Sequence, residues 1–110
     1  MAISNNFITD TAASVYTSSG NNAITTIIVC NTATYDPMSP ATGLTYLSLW
    51  AVQDGDAAGD INQIVNALPV PAGETVSFDQ EKMVLGDGDS IFAFCPSPTN
   101  LSITISTLPV

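Results

Sequence analysis

Leu68-Pro69-Val70-Pro71-Ala72-Gly73-Glu74-Thr75-Val76-Ser77-Phe78, followed after four residues by Met83-Val84-Leu85-Gly86-Asp87-Gly88-Asp89-Ser90-Ile91-Phe92-Ala93-Phe94, decides the fold class. Pro69 and Pro71 keep the approach extended, because a residue before proline is pushed out of the helical region. Ala72-Gly73-Glu74 turns the chain. Thr75 to Phe78 then alternates, which puts Val76 and Phe78 on the inward side of a strand. Met83-Val84-Leu85 is a short apolar step. Gly86-Asp87-Gly88-Asp89 has the Asp-Gly chemistry of a hairpin corner, and Ser90 to Cys95 forms the next strand.

The same grammar extends in both directions. Pro96-Ser97-Pro98-Thr99-Asn100 is a turn, and Leu101 to Ser106 is the strictest alternation in the chain, with Leu101, Ile103 and Ile105 on one face. Upstream, residues 3–8 are extended and Thr9-Asp10-Thr11 breaks them. Ala13 to Thr17 is a β segment rich in hydroxyl and aromatic side chains. Ser18-Ser19-Gly20-Asn21-Asn22 is a turn, since Gly and Asn accept left-handed backbone. Ala23 to Asn31 is a β-branched run dense enough to predict a central strand covered on both faces. Leu44 to Gln53 predicts a long strand with Leu47, Leu49 and Ala51 on one side and Tyr46, Ser48, Trp50 and Val52 on the other, again both covered, with Trp50 and Tyr46 in the core. Ile61 to Leu68 fits an extended segment or one short helical turn.

Seven or eight short strands at even spacing, with turn signals between them, predict an all-β fold: an antiparallel β-sandwich or a small jelly-roll-like barrel. The 110 residues suit a single domain over 1–110, with residues 1–12 as a contact arm. Thr32 to Gly43, with two prolines, is the longest polar connection and excludes a regular element. A connection of that length is often functional, so its Tyr35 and Met38 are contact candidates, together with Ile3, Phe7 and Ile8 of the first segment.

Charge narrows the function. Lys82 is the only cation against ten carboxylates, giving a net charge of −9 without a single histidine. Phosphate binding rests on Lys and Arg, so direct nucleic-acid binding is disfavoured, and an anionic membrane repels the chain for the same reason. A protein surface, preferably a basic one, or a cation remains. No run approaches the ~18 apolar residues of a membrane span, and the first residues lack the basic-then-apolar pattern of a secretory signal, which points to synthesis in a cytoplasm. Cys30 and Cys95 therefore read as two small apolar side chains more than as a disulfide framework; whether they pair is open.

Catalysis finds few supports. An activated nucleophile needs a base beside it, and Lys82 next to Glu81 is the only basic candidate. The carboxylates sit in glycine corners, where they are solvated by default. Asp54, Asp56 and Asp60 resemble the opening of a calcium loop, but Ala58 stands at the fifth position and Val65 where the bidentate glutamate belongs. They are weak calcium candidates only; no catalytic residue and no cofactor is expected.

Tyr16-Thr17-Ser18-Ser19-Gly20-Asn21-Asn22-Ala23-Ile24-Thr25-Thr26-Ile27, Val29-Cys30-Asn31-Thr32, Pro71-Ala72-Gly73-Glu74-Thr75 and Leu85-Gly86-Asp87-Gly88-Asp89-Ser90-Ile91 together resemble the small β-sandwich virion proteins of tailed bacteriophages, including phages of cyanobacteria and marine bacteria. The resemblance spans residues 15–107 and rests on turn and strand signatures. It implies a capsid cement (decoration) protein on the outside of the head, bridging subunits of the major capsid protein. A neck, tail or fibre-attachment component is the alternative. Such proteins carry no catalytic residues; they self-associate, a trimer being plausible, and reside on the virion. From the residues alone, a carbohydrate- or calcium-binding β module is the remaining expectation.

Overall fold

The computed structural model describes residues 2–78, 83–96 and 100–110. Among the described residues, nine strands run in the order β1 (Ala2–Phe7), β2 (Ala13–Thr17), β3 (Asn22–Asn31), β4 (Thr45–Val52), β5 (Gln63–Val70), β6 (Thr75–Phe78), β7 (Met83–Leu85), β8 (Ser90–Phe94) and β9 (Leu101–Pro109). They form two antiparallel sheets packed face to face, the all-β sandwich that the alternation predicts. One sheet has the order β1-β9-β3-β6, with β7 also on β3; the other has the order β2-β8-β4-β5. The ninth strand is β7, whose three residues looked like a mere step.

Side-chain parity builds the core. Ile24, Ile27 and Val29 of β3 meet Ile103 and Ile105 of β9 from one side, and Leu47, Leu49, Ile91 and Ala93 meet them from the other. Val76 and Phe78 pack against this cluster, as their alternation requires. Each fully buried side chain of this size contributes about 1.5–3 kcal/mol relative to exposure.

Several expectations need correction. Gly86 to Asp89 is no hairpin, because β7 belongs to one sheet and β8 to the other; the corner carries the chain across the sandwich. β3 is central but covered on one face only, and its Ile28 is 39% exposed. Tyr46 and Trp50 are not core residues: Tyr46 is 42% exposed and Trp50 half-buried, on the outer side of β4. Residues 60–62 form one 3₁₀ turn and 63–70 a strand, so both readings of that segment hold in part, and Ile61 is almost fully exposed. The first segment is no free arm. β1 pairs with β9 from Ala2↔Thr107 to Phe7↔Ser102, and Ile8, expected as a contact, is fully buried where the chain crosses to the second sheet. Cys30 and Cys95 form no disulfide: Cys30 lies on β3 of one sheet, and Cys95 directly follows β8 of the other, its Sγ donating to the Ile8 carbonyl at 3.6 Å.

Asn31, at the end of β3, holds the long 32–44 connection. Its Nδ2 donates to the carbonyls of Gly43 and Val70, each at 2.8 Å, and its Oδ1 accepts from the Ala33 amide at 3.0 Å. Gly43 has φ +83, and a Cβ there would lie 3.0 Å from the Cβ atoms of both Ala33 and Ala72.

Candidate functional site

No strand carries a charged residue. Every described carboxylate therefore sits in a loop or turn. Asp54, Asp56, Asp60, Asp87 and Asp89 gather at the end reached by the β4–β5 and β7–β8 connections, whereas Asp10, Asp36 and Glu74 lie at the opposite end. Among the described residues, both outer sheet faces are left neutral.

At the acidic end the carboxylates serve the turns. Asp89 accepts from the amides of Asp54 at 3.0 Å and Gly86 at 2.9 Å, and Asp87 accepts from the Gly20 amide at 2.9 Å. Three loops are thereby tied together, the Ser18 amide reaching the Asp89 carbonyl at 2.8 Å. Asp54 presses on Gly88, where a Cβ would fall 2.5 Å from its Cγ. The loop containing Asp56 and Asp60 is stitched by Asn62, which accepts from the Gly59 amide and donates to the Ala57 carbonyl, both at 2.9 Å. Among the described residues no three potential metal ligands share a site, so Asp54, Asp56 and Asp60 are not brought together. Lys82 and Glu81 lie outside the described residues.

The exposed apolar residues tell more. In β1, Ile3, Asn5 and Phe7 pair with Ser106, Thr104 and Ser102, the parity of β9 that points away from the buried Leu101, Ile103 and Ile105. Ser4 and Asn6 point inward, and Asn6 Nδ2 donates across the sandwich to the Val15 carbonyl at 2.7 Å. β1 is inside-out: its large apolar side chains, Ile3 at 68% and Phe7 at 57% exposure, face solvent. Across the same face, β9 lies against β3 through Thr104↔Ile28, Ser102↔Cys30 and Leu108↔Ala23, and Val84 stands opposite Ala23. Among the described residues the result is a neutral surface of Ser, Thr and mostly aliphatic side chains spanning β1, β9, β3 and Val84 of β7. Tyr35 and Met38, at 50% and 89% exposure, lie in the separate 32–44 loop at the far end.

The outer face of the second sheet differs in kind. Trp50 pairs with Phe92 and Ser48 with Phe94, while Tyr46 pairs with Pro69. All four rings stand outside the core cluster. The sequence held a signal for this: in both β4 and β8 the rings occupy the parity opposite Leu47, Leu49, Ile91 and Ala93.

A cleft of about 400 Å³ opens between the sheets at the β5 and β6–β7 flank, lined by Ile27, Leu49, Ile64, Val65, Phe78 and Met83. Among the described residues its lining is apolar. Comparison with protein-family models, with curated proteins and with solved structures finds no match.

Proposed function

We propose that this chain is a non-enzymatic capsid cement protein of a tailed bacteriophage, bound to the outside of the head and bridging subunits of the major capsid protein. The resemblance of its turn and strand signatures to small phage virion proteins supplies the setting. The inside-out β1 strand carries the reading: a strand that turns Ile3 and Phe7 to water, with only the half-buried Ser4 and the exposed Asn6 on its inward parity, is built for a surface that becomes covered. Among the described residues its strands carry no charge, so docking through them avoids the penalty of stripping water from ions. A protein that binds only the assembled shell stabilises it by mass action, and symmetry repeats a modest contact many times over.

Quantitative mass spectrometry of purified particles tests this. Copies comparable to the major capsid protein are expected. A small fixed fraction would move the chain to the neck or tail, and absence from the particle would overturn both positions.

A further inference from the structure

We propose that the outer face of the β2-β8-β4-β5 sheet is a stacking platform for a neutral glycan chain, a role independent of the shell contact assigned to the opposite face. Tyr46, Trp50, Phe92 and Phe94 are half of the chain's aromatic side chains, and all four project from adjacent strands on one side. Residues two apart on a strand stand about 7 Å apart and neighbouring strands about 4.8 Å. The rings therefore form a strip roughly 13 Å long from Tyr46 to Trp50, widened by the two phenylalanines.

The composition of the face selects the ligand. The opposite sheet exposes Ile3, Ile28, Val84 and Leu108 with a single ring, Phe7, which suits packing against protein. Polar side chains flank the rings: Ser14 pairs beside Phe92 and Gln63 beside Trp50, while Ser48, between Tyr46 and Trp50, is buried and accepts from the Ala67 amide at 3.1 Å. A ring face is the negative part of the aromatic quadrupole, and it complements the C–H face of a pyranose, whose hydroxyls reach outward to polar neighbours. Charge fixes the rest. No cation stands on any strand, and five carboxylates fringe the near tip, so sulfated, sialylated or uronic chains are repelled. A second copy at net −9 meets the same repulsion. A neutral oligosaccharide meets none.

The single tryptophan is the reporter. The full chain is titrated with neutral hexasaccharides (cellohexaose, laminarihexaose, maltohexaose and N-acetylated chitohexaose) while Trp50 emission is followed, and is run in native gels cast with the corresponding neutral polysaccharides. A saturable emission change and retardation with at least one of them are expected, insensitive to salt. Tyr46→Ala and Phe92→Ala should each weaken the affinity about tenfold, with circular dichroism confirming the fold. Phe7→Ser on the opposite face should leave it unchanged. No response to any of these probes overturns the proposal, as does retention unaltered in both ring variants. Emission that shifts with protein concentration and not with sugar also overturns it, by assigning the face to a second copy.

Discussion

Replacing Asn31 by alanine should loosen the whole sandwich from one buried point. Asn31 is 1% exposed, and its amide closes three hydrogen bonds to Gly43, Val70 and Ala33. Each bond contributes about 1 kcal/mol net, and a buried partner left unsatisfied adds about 1–3 kcal/mol. The carbonyl of Val70, itself fully buried, has the least access to replacement water. The sum is about 3–5 kcal/mol, a large part of the roughly 5–15 kcal/mol that holds a domain together. In thermal unfolding followed by Trp50 fluorescence, that corresponds to a Tm lower by about 12–20 °C, at about 4 °C per kcal/mol for this size. Asn31→Asp is the sharper arm. It keeps the acceptor for Ala33 but aims a carboxylate at two carbonyl oxygens, so it should be at least as damaging as alanine. A loss below ~1 kcal/mol in Asn31→Ala, or an Asn31→Asp variant near wild-type stability, would refute the account of this clamp.

Thr45 places its hydroxyl, buried and without a hydrogen-bond partner, inside the sandwich; Thr45→Val should raise stability by about 1 kcal/mol in urea unfolding. Gly43→Ala should lower it by about 2 kcal/mol, because φ +83 and the two 3.0 Å contacts leave no room for a side chain. The Ile3→Ser/Phe7→Ser pair should leave the melting of the free protein within about 0.5 kcal/mol while abolishing sedimentation with purified capsids. Cys30 is half-buried on the outer face of β3 and Cys95 is fully buried. Maleimide should therefore modify Cys30 in the free protein, Cys95 only after denaturation, and neither on the capsid. Equal labelling of Cys30 free and bound would place the shell contact elsewhere.

The strands were legible because alternation is a local property. Leu101 to Ser106 and Thr75 to Phe78 announce their inward faces without help from the rest of the chain. What escaped depends on pairing between distant strands. The Asp-Gly chemistry at 86–89 reports a tight corner and cannot report that the next strand joins the other sheet. A strand apolar on both sides, such as β4, reads as doubly covered because burial is the commonest reason for such a pattern; here one side holds the core and the other the rings. β1 misled in the opposite sense. Its contact candidates Ile3 and Phe7 are exposed, but the same reasoning includes Ile8, which the crossing to the second sheet carries into the core.

The pairing of Ala2 with Thr107 has a practical consequence. The two ends of the described chain leave the sandwich side by side at one tip, where the Val110 amide bonds the Asn21 carbonyl at 3.1 Å. A short linker can therefore join them, and opening the 32–44 loop at the opposite tip would give a circular permutant with every strand ladder intact. A peptide fused to either end of the described chain would be displayed from that same acidic tip, clear of both sheet faces.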